Sequence, residues 1–231
     1  MSKRTGLAVS LGLALSLVST ASFAEGSGWY FGVTGGQAEA VDLSRAAIDE
    51  QVLRAFAANG LVITSGGSTL DDSDMSFSLF GGYRFSPNFA LEAGYVDFGT
   101  AKYRASGVID PVGAQPPFAA TLAEDLELTG FTATAIGTVP VSAAFDLHAR
   151  VGVLFAQTDV AVSVARAALT ARESVSVESQ DFFYGLGVGL QAGPNWSLSL
   201  DWQQFKDVGE DDEAAGEGDV NRLSLGVIYR L

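Results

Sequence analysis

Apolar and polar residues alternate with a period of two in eight segments of the chain. In residues 145–155, for example, Phe, Leu, Ala and Val occupy the odd positions, whereas Asp146, His148 and Arg150 occupy even positions. This alternation is typical of β-strands with one apolar and one polar face. We predict strands at residues 28–39, 74–86, 88–103, 125–139, 145–160, 176–191, 196–207 and 220–231.

The connections between these strands alternate between short and long. The short ones lie at residues 86–88, 140–144 and 192–195, and the long ones at 40–73, 104–124, 161–175 and 208–219. All prolines fall in connections, where no ladder hydrogen bond is lost. Strands in even number joined in this way are typical of outer-membrane barrels. We therefore predict an all-β fold, an eight-stranded antiparallel up-and-down transmembrane β-barrel with short periplasmic turns and longer extracellular loops.

The composition of the two strand faces indicates which face meets lipid. One face is apolar with aromatic residues toward both ends, and the other carries glycine, serine and charged residues. A soluble eight-stranded barrel has the reverse arrangement, with an apolar interior and a polar exterior. In a β-sandwich the apolar face would be buried, but the solvated face of a sandwich is rarely so rich in glycine. We therefore assign the apolar face to lipid and the polar face to the lumen.

Ionisable side chains fall on the predicted lumen face of several strands. Buried charges are costly unless they are paired, so we expect these side chains to form an ion-pair network that fills the lumen. Arg84 and Glu92 flank the turn at 86–88 and form one candidate pair. A narrow passage gated by these pairs is the alternative interpretation. The predicted network comprises Arg84, Glu92, Asp146, His148, Arg150, Asp201, Arg222 and Arg230.

The N-terminus has the layout of a secretory signal. Lys3 and Arg4 precede an apolar run at 7–18, and small residues at Ala21 and Ala24 form a cleavage site. The apolar run is too short for a membrane-spanning helix. We predict a signal peptide at 1–24, export to the cell outer membrane, and a single barrel domain at 25–231.

The composition excludes several classes of function. The chain has no cysteine, which excludes disulfides and thiolate metal sites. It carries 27 acidic against 13 basic residues, a balance that argues against binding to nucleic-acid backbones. A single histidine offers no zinc or haem site, and we predict no cofactor.

Two groups of residues resemble fragments of known sites. Asp146 and His148 are two members of a possible hydrolytic triad, but the chain has no Gly-x-Ser-x-Gly motif, and we predict that it is not an enzyme. Acidic clusters at 71–74 and 207–219 lack the spacing of calcium-binding loops. We interpret them as solvated loops; divalent-cation binding, bridging to lipopolysaccharide phosphates, is the alternative.

The first long connection, 40–73, contains a candidate amphipathic helix. Asp42 or Ser44 is placed to cap its N-terminus, and Asn59-Gly60 is a helix-ending signal. The helix is either a structured insertion or a lid or partner-binding element. Its apolar residues at helical spacing are Ile48, Val52, Leu53 and Phe56.

Four segments of the chain are similar to a known family. FGGYRFSPNFALEAGYVDFG, LTGFTATAIGTVPV with FDLHARVGVLFA, and FFYGLGVGLQ resemble strands of OmpA-like transmembrane domains, the eight-stranded barrels of Gram-negative outer membranes. The resemblance implies an outer-membrane location, periplasmic termini and a structural envelope role. Well-known members carry a peptidoglycan-binding domain after the barrel. This sequence stops at the end of its eighth strand, so the resemblance does not carry cell-wall tethering over to it.

The C-terminal strand also resembles a known targeting signal. Ser224, Gly226, Tyr229 and Leu231 are similar to the pattern read by the barrel-assembly machinery, with Leu231 in place of the usual phenylalanine. Outer-membrane lipid, lipopolysaccharide and this machinery are therefore the expected partners.

The resulting functional expectation is a structural protein of the cell envelope. One alternative is a narrow channel for ions or small apolar molecules. Another is a surface receptor or adhesin that binds an extracellular partner through the 40–73 connection. A third, an enzyme acting on lipid A, lacks a nucleophile motif.

Overall fold

The computed structural model of the chain describes residues 27–41, 43–113, 116–166, 169–210 and 216–231. The predicted signal peptide at 1–24 and Asp42 lie outside these residues. Nine strands and one helix are present in the described residues. They are β1 (Gly28–Ala40), α1 (Arg45–Ala58), β2 (Leu61–Asp71), β3 (Ser73–Ser86), β4 (Phe89–Pro111), β5 (Phe118–Pro140), β6 (Phe145–Arg166), β7 (Leu169–Gln191), β8 (Trp196–Glu210) and β9 (Gly216–Arg230).

All strand pairs are antiparallel, and the sheet closes into a ring. β1 pairs with β3 on one side and with β9 on the other, and β4 pairs with both β3 and β5. β2 lies above β3 along the same edge of β4, so the two strands share one position in the ring. The predicted eight-stranded antiparallel barrel is confirmed. We call the end with the short turns the periplasmic end and the opposite end the extracellular end.

Two predicted long loops, 104–124 and 161–175, are largely strand, and a third, 40–73, contains one strand besides the predicted helix. β4 continues to Pro111, and β5 begins at Phe118. β6 continues to Arg166, and β7 begins at Leu169. β2 lies within the predicted 40–73 loop. We call β2 and residues 100–111, 118–127, 157–166 and 169–178 the extracellular extension. The prediction was wrong here because the polarity of the two faces changes: in residues 157–164 of β6 the inward positions are mostly valine and the outward ones mostly polar.

The outer face of the membrane part is apolar and exposed, as predicted. Aromatic side chains form a ring near the periplasmic end, where Trp29 lies 5.1 Å from Tyr83 and Trp196 lies 4.8 Å from Tyr229 between ring centroids. A second ring lies nearer the extracellular end, at Tyr95, Phe131, Tyr184 and Trp202. Aromatic girdles at two levels are typical of barrels that cross a bilayer.

The predicted helix in the first long connection is confirmed. Ser44 occupies its N-cap position, although its side chain makes no capping hydrogen bond, and Asn59 and Gly60 end the helix, Gly60 with a φ of 69°. None of the residues of α1 is buried. Within the described parts of the chain, no helix combines the length and apolar character that crossing a membrane requires.

Two of the strand ladders are irregular at the level where the extension begins. The pairing of β4 with β5 shifts between Asp97 and Thr100, and that of β8 with β9 shifts between Phe205 and Val208. Asp74 Oδ2 accepts the Thr100 N–H at 3.0 Å. Gly99 has a φ of 83°, which favours glycine, and a side chain there would also collide with Asp74. The bulges therefore form a defined rim between membrane part and extension.

Candidate functional site

Four ionisable side chains meet inside the membrane part of the lumen. Asp201 Oδ1, on β8, lies 2.7 Å from His148 Nε2 and 3.1 Å from Arg150 Nη2, both on β6. Arg150 Nη1 lies 3.8 Å from Glu92 Oε2 on β4. Tyr30 on β1 donates its hydroxyl to Glu92 Oε1 at 2.9 Å. These contacts join four strands across the lumen, and all five side chains are buried.

Arg222 is buried in the same region but is held by neutral groups. Its Nε donates to Ser76 Oγ at 2.9 Å and its Nη1 to Gln203 Oε1 at 3.0 Å. Its Nη2 donates to Thr34 Oγ1 at 2.5 Å, and Thr34 in turn shares a hydrogen bond of 2.6 Å with Ser78. Hydroxyl and amide oxygens thus accept the hydrogen bonds of the Arg222 guanidinium. The sequence had predicted an ion pair for this residue, and that prediction was wrong.

The three remaining members of the predicted network lie at the periplasmic mouth. Arg84, Asp146 and Arg230 line a vestibule of about 430 Å³. Arg84 donates to the Pro87 carbonyl at 3.2 Å and Arg230 to Gln191 Oε1 at 2.7 Å. The expected Arg84–Glu92 pair is wrong, because the register places Arg84 opposite Ala90 and Glu92 opposite Gly82, so the two side chains lie at different levels.

Alternate glycines on β7 make room for the lumen network. A Cβ on Gly187 would collide with the His148 ring and with Asp201 Oδ1. A Cβ on Gly185 would lie 2.9 Å from the Gln203 side chain, and one on Gly189 would lie 2.6 Å from Asp146. This role was not predicted, although the Gly-x-Gly-x-Gly spacing in FYGLGVGLQ on the lumen face is a signal for it.

An apolar layer lies above the ion pairs and was not predicted. Phe205 packs 4.7 Å from Phe183 and 4.8 Å from Phe98 between ring centroids, and Leu154 is fully buried beside them. Two cavities adjoin the ion-pair layer, of about 40 and 30 Å³, room for a few water molecules. Ion pairs therefore fill only one level of the lumen, and aromatic packing fills the next.

The surroundings of His148 do not form a hydrolytic triad. Its Nε2 faces Asp201 and its Nδ1 lies 3.4 Å from Asp146 Oδ1, so both ring nitrogens face carboxylates. A triad needs one nitrogen to face the nucleophile. Among the described residues, no group of three His, Cys, Asp or Glu side chains is placed to hold a metal ion.

Some carboxylates of the acidic clusters accept hydrogen bonds from backbone N–H groups and from neighbouring side chains. Asp74 also accepts the Met75 N–H at 2.7 Å, and Asp219 accepts hydrogen bonds from the Lys206 ammonium and Gln204. The Lys206 hydrogen bond lowers the pKa of Asp219. Residues 211–213, the centre of the second cluster, lie outside the described part of the chain.

The residues of the predicted assembly signal follow the strand parity. Ser224 and Gly226 face the lumen, whereas Tyr229 faces outward against Trp196. The Leu231 N–H donates to the Trp29 carbonyl at 3.0 Å. Their role in assembly stays a prediction.

A second site lies outside the membrane, between α1 and the extension. This helix cleft has a volume of about 330 Å³ and is lined by α1, β2, β4, β5 and Val164 of β6. At one end the Tyr103 hydroxyl donates to Asp49 Oδ1 at 2.6 Å. Hydrogen bonds from Ser68 and Tyr103 lower the pKa of Asp49, while burial raises that of Tyr103 to about 12.

The family of the chain follows from its sequence profile. The family model for the OmpA-like transmembrane domain matches residues 24–231. The chain belongs to this family. The OmpA-like fold, with a lipid-facing apolar surface, is that of an outer-membrane β-barrel.

The fold of this OmpA-like barrel is similar to several solved structures at low identity. Neisserial surface protein A is 14% identical with a TM-score of 0.47, and the match covers 90% of this chain and 100% of that one. Ail, the attachment invasion locus protein of Yersinia pestis, is 14% identical with a TM-score of 0.44, covering 89% and 97%. The outer-membrane protease OmpT of Escherichia coli is 14% identical with a TM-score of 0.39, covering 92% and 99%. A search of curated proteins found no match.

Proposed function

We propose that this OmpA-like barrel is a structural, non-enzymatic protein of the outer membrane, with a lumen that does not conduct. The observation that carries the proposal is that side chains fill the lumen at two successive levels. Buried ion pairs joined to Asp201 fill one level, and the Phe98, Phe183 and Phe205 rings fill the next. An eight-stranded barrel is just wide enough for its side chains to fill it.

Single-channel recording in planar lipid bilayers tests this proposal. We expect no conductance steps from the purified wild-type barrel. A Phe183→Gly/Phe205→Gly variant removes two stacked rings from the apolar layer and is the control for a barrel with a weakened plug. Steady conductance steps from the wild type, at the level seen with the variant, would refute the structural proposal and favour the channel.

Surface binding is the second candidate, and the free edge of β7 favours it. β7 pairs with β6 along its whole length, but its described ladder with β8 begins only at Phe183. The residues of β7 in the extension therefore present one open strand edge. An unpaired edge is a template for an extended segment of another protein.

A proline in that edge tests the surface-binding candidate. Even-numbered residues of β7 direct their N–H groups away from β6, since Gln191 donates to Ala144 and the register between the two strands is unbroken. Ser174→Pro therefore blocks strand addition, because proline cannot donate to a new ladder. We expect bacteria that express the variant to adhere less to cultured epithelial cells than bacteria that express equal amounts of folded wild type. Equal adherence of the two strains, with surface folding verified by heat-modifiable migration on gels, would remove this candidate.

A further inference from the structure

The open edge of β7 is produced by a turn in its neighbour β8. β8 pairs with β7 from Ser197 to Phe205 and then leaves it. Asp207 has a φ of 53° and Gly209 a φ of 113°, and a strand changes direction at such residues. The Asp207 N–H donates to Asp219 Oδ1 at 3.2 Å, which holds the turn in place. The separation of the two strands is therefore built into the fold.

The backbone groups along this edge are arranged for strand pairing. Odd-numbered residues of β7 face β6, because the Gln191 N–H donates to the Ala144 carbonyl and the register is unbroken. The even-numbered residues from Thr170 to Glu178 therefore direct their N–H and C=O groups to the vacant side. A segment of about nine residues, about 30 Å long at 3.3 Å per residue, fits along them.

The two faces of β7 specify the side chains of an added segment. On the inner face Val177 is buried, and Val175, the next residue on that face, is exposed. Ser174 and Ser176 lie on the outer face. Residues directly opposite each other in an antiparallel pair share a face. The residues opposite Ser174 and Ser176 would therefore be polar and donate to β7, and those between them would be apolar.

A cavity at the end of this edge nearest the rim is acidic. It has a volume of about 470 Å³ and lies where β7 and β8 separate, and we call it the fork. Lys206 is the only basic residue among the described residues of its lining, and its ammonium already donates to Asp219. Side chains that enter the fork from an added segment would therefore be basic. The fork is lined by residues 179–182 of β7, by Lys206, Asp207 and Gly209 of β8, and by Glu217 of β9.

We propose that the β7 edge and the fork bind an extended basic segment of another protein, antiparallel to β7, with lysine or arginine side chains at its N-terminal end in the fork. The open ladder and the charge of the fork carry this inference. The antiparallel direction is the one that β8 has toward β7 below the fork, and it places the start of the segment nearest the rim. The inference rests on the surface-binding candidate and adds the chemistry of the partner.

A synthetic peptide tests the proposal on the intact barrel. The probe has two N-terminal lysines followed by three threonine–valine pairs, and fluorescence anisotropy measures its binding to the barrel in phosphatidylcholine nanodiscs. We expect saturable binding, at least about fivefold tighter than that of the same peptide with two N-terminal glutamates. Equal affinities of the two peptides, or no binding above that to empty nanodiscs, would overturn the proposal.

Neutral substitutions in the fork test the charge contact. Asp207→Asn with Glu217→Gln removes two carboxylates, and asparagine tolerates the positive φ at position 207. This double variant should bind the lysine peptide about fivefold more weakly. Asp110→Asn with Glu127→Gln removes the same charge from residues that do not line the fork, and is the control. Equal losses in the two double variants would refute the fork contact.

A single substitution keeps this test available should the double variant misfold, as judged by heat-modifiable migration on gels. Glu217→Gln alone should weaken binding of the lysine peptide about twofold, because one exposed ion pair contributes little. Its control is Glu127→Gln, and equal affinities of these two variants would count against the fork.

Methyl groups on the peptide backbone test strand pairing and its predicted face. N-methylation of the central threonine removes an N–H group that would donate to β7, so it should abolish binding, as proline does in a ladder. N-methylation of the neighbouring valine affects an N–H group that would point away from β7, and binding should persist. Equal binding of the two methylated peptides would overturn the pairing.

Competition with adherence separates this inference from the function on which it rests. The lysine peptide should reduce the adherence of bacteria that express the wild type, and should leave that of Ser174→Pro bacteria unchanged. Reduced adherence of Ser174→Pro bacteria, with a peptide that neither binds nor competes, would overturn the basic partner and leave the surface-binding candidate standing. Peptide binding at the edge, with equal adherence of the two strains, would support the site and remove adherence as its function.

Discussion

In the first half of β6, residues 145–155, apolar side chains face outward and Asp146, His148 and Arg150 face inward. In the second half the arrangement inverts, with Val160, Val162 and Val164 on the inward side and polar residues such as Gln157 and Asp159 outward. The strand is continuous, and only its surroundings change. Lipid outside the barrel selects an apolar exterior, and water outside the extension selects the pattern of a soluble barrel.

The two regions also differ in how they hold charges. The Asp201 pairs lie in a closed lumen, whereas the Arg104–Asp125 pair in the extension, 2.6 Å apart, is half exposed. A buried acid cannot be removed without leaving its partners unpaired, but an exposed pair can be replaced by water. Ion pairs should therefore stabilise the membrane part far more than the extension.

Removing Asp201 should give the largest effect. Asp201→Ala leaves His148 and Arg150 without their shared acceptor and should lower the free energy of unfolding by about 3–5 kcal/mol. Urea titration of the barrel in lipid vesicles, read by heat-modifiable migration on gels, measures this change. The matched control is Asp125→Ala, for which we expect about 1 kcal/mol or less. Similar losses for the two variants would contradict the comparison.

A glycine exchange compares packing in the two regions. Gly187→Ala forces the His148–Asp201 pair apart and should cost about 1–3 kcal/mol, the usual cost of overpacking. Gly67 in β2 has open space where its Cβ would lie, so Gly67→Ala should change the unfolding free energy by less than about 0.5 kcal/mol. The same urea titration applies, and a larger loss for Gly67→Ala than for Gly187→Ala would be inconsistent with a filled lumen.

The docking of α1 should respond to a smaller change. Tyr103→Phe removes the hydrogen bond to Asp49 and should weaken helix docking by about 1 kcal/mol. Faster hydrogen exchange of the α1 amides measures the effect, with residues 130–138 of β5 as the internal reference. Uniform acceleration in both segments would indicate global destabilisation instead of local undocking.

Acid should weaken the same contact slightly. The pKa of Asp49 is lower in the folded than in the unfolded chain, so its stabilising contribution is complete above the unfolded pKa of about 4. It is lost as the pH falls through the folded value. The Ile48 methyl signal on α1 should therefore change below about pH 4. Tyr103→Phe should bring the onset closer to pH 4, and an onset that moves to lower pH would contradict this assignment.

The sequence predicted the membrane part well because lipid imposes a strict rule on it. Phe145 and Leu147 must face outward, so parity alone assigned His148, Arg150 and Asp201 to the lumen. Parity does not assign partners, because these depend on the register between strands and on side-chain reach. Glu92 therefore reaches Arg150 and Tyr30 instead of Arg84.

The extension and the apolar layer were missed for a related reason. Leu128 and Phe183 face the lumen although they are apolar, so their strands show no clean alternation. Above the rim, the bulge in β4 places Tyr103 on the inward side, opposite to the parity of Glu92. In such strands the apolar residues change from the outward to the inward face part-way along. A prediction that expects them on one face throughout therefore takes the second part for a loop.

The irregular pairings at the rim have a consequence for how this chain can vary. A shift of one residue in a continuous ladder would turn every later side chain to the opposite face. The bulge at Gly99, the break at Asp72 and the shift after Phe205 absorb such changes where β3, β4 and β8 leave the bilayer. Insertions and substitutions in the extension can therefore accumulate, while the sequence that inserts into the membrane keeps its register.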